Sequence, residues 1–474
     1  MTIDDVLRSS LANHVSRFAR VLRAIRRDRS GNFTMLFALT APALVIMVGM
    51  GVDYYVGLSD KSRLDTAADA AALAAVNTAK SYYAANSGSQ SGATLENNAL
   101  AAGKAQAQNV FNANVGSTAL ASPVTLVVTP SFTQSTLTFS AAVTWSAQVT
   151  AHFGPLVGIS NLNISGDAAA QAGLPKYLDF YVVVDTSGSM GIPTNASDQQ
   201  TLIANNPDNA LEEANGYQGG CQFACHFSGY QGFAYTRNSD GTAKIPLKLD
   251  SVGNAVQALL TTATATKVIA NQYRVGIYPF IVDPMVAAAL SSDLTSTTAG
   301  SVNYVAGNLA NYLDDGGATN SAMGSGGTHF ENLWSGLSSN FQTPGTGVSS
   351  SSTLPFIILV TDGVDNGQTY TSSGGFQGGS TPQVPSETFC NNAKAAGYTV
   401  AVLLIPYDPI VDPETIWGDE DGVVNSLIAT NSISPAMQSC ASSGYFFTAA
   451  TSADINTAMQ TIFYQAVQSA RLTQ

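Results

Sequence analysis

Asn32 to Val52 form an unbroken run of 21 residues without a charged side chain, rich in Leu, Met, Val, Ala and Phe. As a helix such a run rises about 31 Å. That length matches the hydrocarbon core of a bilayer, so the pattern predicts a transmembrane helix over 31–57. Residues 63–80 follow with Ala at eight of 18 positions, and Lys61 and Asp65 stand four apart. Strong helix formers and an i,i+4 pair predict that the helix continues outward as a stalk over 58–110. Its small side chains suit close lateral packing. Over 111–175 the period changes. Residues 124–129, 136–153 and 162–168 are rich in β-branched and aromatic residues, which predicts a small antiparallel sheet onto which the long helix packs. His152, within that strand pattern, is read as structural.

From residue 176 onward, apolar runs at 178–184, 274–280, 354–361, 398–405 and 445–448 alternate with helical spacing. Leu249, Val252, Val256 and Leu259 mark one helix. Phe330, Leu333, Trp334 and Leu337 mark another, and 454–472 is amphipathic. Strand then helix, repeated, predicts an α/β fold with a doubly wound, mostly parallel sheet covered on both faces. Long polar stretches at 190–247, 283–327 and 364–385 read as insertions gathered at one sheet edge.

Charge sets the orientation of the predicted span. Residues 1–30 hold Arg8, Arg17, Arg20, Arg23, Arg26, Arg27 and Arg29 against Asp4, Asp5 and Asp28, while the whole 474-residue chain is at −13. The positive-inside rule then places this basic segment in the cytoplasm and exports the remainder. The exported part is acidic throughout, which disfavours a nucleic-acid partner. Only 11% of residues are charged, against about 25% in an average soluble protein, so the polar surface is mostly Ser, Thr, Asn, Gln and Gly.

Four cysteines, Cys221, Cys225, Cys390 and Cys440, are an even number in an exported segment, which favours disulfides. Three pairings are open. Proximity favours Cys221 with Cys225. Cys390 and Cys440 each precede a predicted strand, so neighbouring parallel strands would bring them together.

The predicted strand at 178–184 runs into Asp185-Thr-Ser187-Gly-Ser189, the strand at 354–361 into Asp362-Gly363, and Gly326-Gly-Thr328 opens a predicted helix. Open α/β sheets bind ligands at the carboxyl ends of their strands. Two Asp, two Ser and one Thr are hard oxygen donors, and without His or Cys they suit Mg²⁺, Mn²⁺ or Ca²⁺ rather than Zn²⁺ or copper. Such a set leaves part of an octahedral shell to water or to an outside carboxylate. His329 is read as rim or packing, Phe330 and Trp334 as core. No Gly-x-x-x-x-Gly-Lys-Ser loop, Gly-x-Ser-x-Gly elbow or His-Glu-x-x-His occurs, so a binding module is expected rather than an enzyme.

At these residues the chain resembles the von Willebrand factor A domain with its metal-ion-dependent adhesion site. The resemblance implies that Ser187, Ser189 and Thr328 are direct ligands, that Asp185 and Asp362 act directly or through water, and that the divalent cation, Mg²⁺ before Ca²⁺ or Mn²⁺, docks an Asp or Glu of a protein partner. Farther upstream, Arg29-Ser-Gly-Asn-Phe-Thr-Met-Leu-Phe-Ala-Leu, Val52-Asp-Tyr and Asp65-Thr-Ala-Ala-Asp-Ala-Ala-Ala-Leu-Ala-Ala resemble the TadE/TadG-like proteins of the tight-adherence (Flp) pilus assembly system, and the ending from Ser439-Cys-Ala-Ser-Ser-Gly-Tyr-Phe-Phe-Thr-Ala to Ala470-Arg-Leu-Thr is similar to the TadG-like members, which join such an anchor to an A domain. Pilin-type processing signals carry Glu five residues after the cleavage Gly, where this chain has Leu36, so an uncleaved anchor is expected. The expectation is a single-pass accessory protein of pilus assembly or adhesion in a bacterial inner membrane, N-terminus cytoplasmic, bulk periplasmic or surface-exposed. Its partners are envelope or pilus proteins and the lipid bilayer. The alternatives are a structural spacer whose metal only stabilises the fold, and a Mg²⁺-dependent hydrolase.

Overall fold

The computed structural model describes residues 31–116, 120–205, 236–238, 242–314, 322–371, 375–377, 381–409 and 418–472. The basic segment 1–30 and the pair Cys221 and Cys225 lie outside the described residues. The chain divides into two compact units. The first comprises Met1–Ala79, Asn97–Ser131 and Phe139–Ala172.

Helix α1, Gly31–Asn86, runs without a break through the predicted span and into the stalk. From Phe33 to Leu58 most of its large apolar side chains are exposed, with Ile46 and Val56 partly covered, a surface suited to lipid. An apolar stripe then appears at Leu64, Ala67, Ala68, Ala71, Ala72, Ala75, Val76 and Ala79, all buried, at the spacing of a one-sided helix. The stalk is not one rod. Helix α2, Gly92–Val115, folds back along α1, and a Cβ added at Gly103 would stand 2.5 Å from the Ala75 carbonyl oxygen, so the two backbones touch. Strands β1 (Thr125–Thr133), β2 (Thr138–Thr150) and β3 (Asn161–Gly173) form a three-stranded sheet in chain order. Links this short permit only antiparallel neighbours. Along β2, Phe139, Ala141, Val143, Trp145, Ala147 and Val149 are buried in strict alternation.

The second unit comprises Lys80–Glu96, Phe132–Thr138 and Gly173–Gln474. Its elements in order are β4 (Leu178–Asp185), α3 (Ala196–Asn205), α4 (Lys248–Thr266), β5 (Tyr273–Phe280), β6 (Ala288–Ser291), α5 (Val302–Gly307), α6 (Leu333–Leu337), β7 (Leu354–Thr361), the short β8 (Asp365–Asn366), β9 (Thr369–Thr371), β10 (Gly375–Gln377) and β11 (Pro382–Gln383), then α7 (Thr388–Ala395), β12 (Thr399–Leu404), α8 (Gly418–Ala429), α9 (Ile433–Cys440), β13 (Phe446–Thr448) and α10 (Ser452–Leu472).

Six strands form one sheet in the order β13-β12-β7-β4-β5-β6. Five are parallel and β6 is antiparallel at the edge. The order reverses between β4 and β7, which makes their carboxyl ends the topological switch point. Burial on both faces explains why the strands read as continuous apolar runs. Along β4, Phe180, Val182 and Val184 enter a core with α4, α5 and α10, while Tyr181 and Val183 enter a second core with α6, α7 and α9. At the amino edge the Arg274 guanidinium donates from Nε and Nη2 to the two oxygens of buried Asp179, each at 2.7 Å, fastening β5 to β4. Cys390 on α7 and Cys440 on α9 form a disulfide with Cα atoms 5.1 Å apart. In the chain-entropy model, closing 50 residues of separation contributes about 4 kcal/mol.

Two expectations need correction. The stretch 283–327 is not simply an insertion: it supplies β6 and α5, and Ala288, Leu294, Val302, Val305, Leu309 and Leu313 are core. Thr328 does not open the helix. His329 is extended, Phe330–Asn332 is a 3-10 turn, and α6 begins at Leu333. Gly324 and Gly326, at φ +70° and +95°, turn the chain so that Thr328 pairs instead with Asn366 after β7.

Candidate metal centre at the switch point

Asp185 ends β4 and Asp362 follows β7, so parallel pairing of these neighbours delivers both carboxylates to one edge. Each is buried, at 0% and 1% exposure. Asp185 Oδ1 accepts from the Ser187 backbone N–H at 3.0 Å and from Ser187 Oγ at 2.7 Å; Oδ2 accepts from Thr361 Oγ1 at 2.7 Å. Ser187 Oγ also lies 3.1 Å from Ser189 Oγ. With the Ser187 proton on Asp185, Ser189 is the donor in that contact. Ser187 precedes the 3-10 turn Gly188–Gly191 but makes no side-chain cap bond to it. Its hydroxyl is turned into the site rather than spent on the turn.

Gly363 shapes the other carboxylate's loop. At φ +82° it occupies the left-handed region, and a Cβ there would stand 2.6 Å from Ile433 Cγ2. Its N–H donates to Thr361 Oγ1 at 2.9 Å, so the turn is closed without the Asp362 side chain. Asp362 Oδ2 instead pairs with Lys248 Nζ at 3.2 Å, and Oδ1 is buried with no hydrogen-bond partner. Burial, then the negative charge of Asp362, pushes Asp185 up to about 7. Two adjacent buried carboxylates, one with an orphaned oxygen, form a set short of positive charge.

The Thr328 segment reaches the same edge through backbone ties. Thr328 and Asn366 exchange two N–H to O bonds of 2.9 Å, and the His329 N–H donates to Ile281 O at 2.9 Å, one residue beyond β5. Asp314 links it to the first loop. Its N–H donates to Thr186 O at 2.9 Å, and its carboxylate accepts from Ser325 Oγ at 2.5 Å and Gly326 N at 2.7 Å. His329 is buried and clamped, with Nδ1 2.7 Å from Glu331 Oε1 and Nε2 3.0 Å from Gln368 O, so it holds the loop rather than facing a cation. Phe330 is fully buried, while Trp334 packs on the second core partly exposed.

Hydroxyl and carboxylate oxygens with one orphaned acceptor fit a hard divalent cation. Among the described residues, no group of three His, Cys, Asp or Glu gathers that would hold a metal, so a centre here rests on two carboxylates supplemented by Ser187, Ser189 and Thr328. These five residues are at most 5% exposed. A carboxylate from outside reaches them only if the rim opens. Lys248 is part of that rim: its ammonium stands 4.2 Å from the centroid of the Tyr407 ring. Periodicity alone did not single it out. A usable signal was present, because a lysine at the first position of a helix opposes the macrodipole and calls for a local anion.

Residues 31–80 match the family model described as "Putative Flp pilus-assembly TadE/G-like". Over those residues the chain is similar to TadE/G-like proteins. None of the curated proteins matches the chain. Solved structures similar to it include the PilB minor pilin from Streptococcus sanguinis, 10% identical with a TM-score of 0.34 over 74% of this chain and 80% of that one. Another is the vWF domain of the type V pili tip protein Mfa5 from Porphyromonas gingivalis, 12% identical with a TM-score of 0.32 over 63% of this chain and 97% of that one. A third is proximal thread matrix protein 1 from the mussel byssus with a zinc-occupied MIDAS motif, 13% identical with a TM-score of 0.31 over 62% and 48%. The doubly wound fold follows from the strand order and parallel register of the sheet itself.

Proposed function

We propose that the chain is a membrane-anchored accessory protein of pilus assembly or adhesion, whose second unit binds an Asp or Glu of an envelope or pilus protein through a divalent cation. Asp185, Ser187, Ser189, Thr328 and Asp362 would hold that ion, Mg²⁺ before Ca²⁺ or Mn²⁺, and it would supply the positive charge that draws in the partner's carboxylate. The observation carrying this reading is Asp362 Oδ1, buried without a partner beside a second buried carboxylate. Support for the pilus setting comes from the TadE/G-like segment. Support for the anchor comes from α1, long and apolar enough to cross a membrane, with only 6% of its most apolar window buried. On this reading the basic segment 1–30 stays cytoplasmic in the inner membrane and the remainder is exported, where the Cys390–Cys440 disulfide persists.

A second reading, a structural spacer without metal-dependent capture, is favoured by one contact. The Lys248 ammonium already neutralises Asp362, closing the site with the chain's own charge. Co-purification from detergent-solubilised envelopes separates the two. Capture of a pilus or envelope protein that disappears with chelator and in Ser187→Ala supports docking, whereas chelator-insensitive capture supports the spacer.

A further inference from the structure

We propose that the link between β2 and β3, residues 153–159, is a second membrane contact, lying in the interfacial layer of the bilayer that α1 crosses. This rests on the reading of α1 as the anchor. The link reads Phe153-Gly-Pro-Leu-Val-Gly-Ile159 and carries no charge. It folds as a 3-10 turn, Gly154–Val157, closed at Gly158, and it exposes Leu156 at 63%, Val157 at 47% and Ile159 at 41%. A loop tip of three exposed branched apolar residues is costly in water.

Its position along α1 names the occupant. The Asp53 carboxylate accepts three backbone N–H groups where the link begins, His152 just before it at 2.9 Å and Phe153 and Gly154 within it at 2.8 Å each. One turn toward the N-terminus, the Phe153 ring fills the space beside Gly49, where an added Cβ would lie 2.3 Å from Cγ. One turn the other way, Gly57 stands against Leu162. The link is therefore fastened to α1 at Gly49 and Asp53, and the start of β3 at Gly57. At that level α1 is still apolar and aromatic outward: Met50, Val52, Tyr54, Tyr55 and Leu58 are 40–70% exposed. Tyr beside branched apolar residues is the composition of a membrane interface. A charged side chain spent on pinning an apolar loop to the end of a membrane span sets that loop at lipid depth. The tip thus continues the surface of α1, and its occupant is lipid.

The test places tryptophans by depth. Full-length protein is reconstituted in phosphatidylcholine vesicles carrying bromines high or low on the acyl chains, and the emission of Leu156→Trp and Val45→Trp is read as the difference from the parent. Both sites are exposed on the protein, so the substitutions leave packing intact. The inference expects blue-shifted Leu156→Trp emission quenched best by the high bromines, Val45→Trp quenched best by the low ones, and weaker quenching of Leu156→Trp alone when Asp53→Asn is added. Val45→Trp quenched while Leu156→Trp keeps water-like emission overturns the inference and leaves the anchor standing. Neither being quenched overturns the anchor itself, and the loop's lipid contact with it.

Discussion

Asp185 is the residue on which the electrostatics turn. In the folded chain its carboxyl is raised to about 7 by burial and by Asp362, while an unfolded aspartate titrates near 3.9. Between those values the folded state holds a proton that the unfolded state has released. Stability of the metal-free protein therefore falls as pH rises from about 4 to about 7 and stays reduced above that. Thermal melts in chelator across this window are expected to show a declining midpoint that flattens in Asp185→Asn. An added divalent cation is expected to restore the loss at neutral pH. Lys248 tempers the same repulsion from the Asp362 side; its place at a helix start hinted at a local anion without naming which one, and nothing in the chain marked Thr361. The carboxylates stood out because a strand's end is visible as the end of an apolar run. Their partners arrive from a helix start and a strand face, where sequence marks only burial.

At the scale of elements, the apolar runs announced every parallel strand within a residue or two, because burial on both faces leaves few polar positions to blur the central ones, while β13, only partly buried, is marked by Phe446 and Phe447. The edge strand β6 escaped notice: four residues, Ala288–Ser291, hold too little alternation to rise above loop composition. The helical hairpin was half legible. Ala spacing declared a packing face on α1, yet nothing in it showed that the surface covering it is this chain's own α2. Gly103 records that contact. Since a side chain there meets the Ala75 carbonyl, Gly103→Val is expected to lower stability by about 1–3 kcal/mol through forced separation of the helices. Denaturant unfolding read by far-UV circular dichroism checks this, and Lys104→Val, exposed on the same helix, serves as the control.

Across the whole molecule, the two resemblances met at different levels of resolution. The TadE/G-like match covers residues 31–80, the anchor and the start of the stalk. The doubly wound sheet is established by its own topology, and its switch point brings Asp185, Ser187, Ser189 and Asp362 together, with Thr328 tied by its backbone to Asn366 after β7. A cation site and a pair of carboxylates balanced by Lys248 alone differ in their response to added metal. Calorimetric titration of the chelator-stripped full chain with Mg²⁺ decides between them. The account predicts saturable binding to a single site, abolished in Asp362→Asn, weakened in Ser187→Ala and tightened in Lys248→Met, where a competing positive charge is gone. Absence of any binding heat in the parent, or binding that persists unchanged in Asp362→Asn, would contradict it.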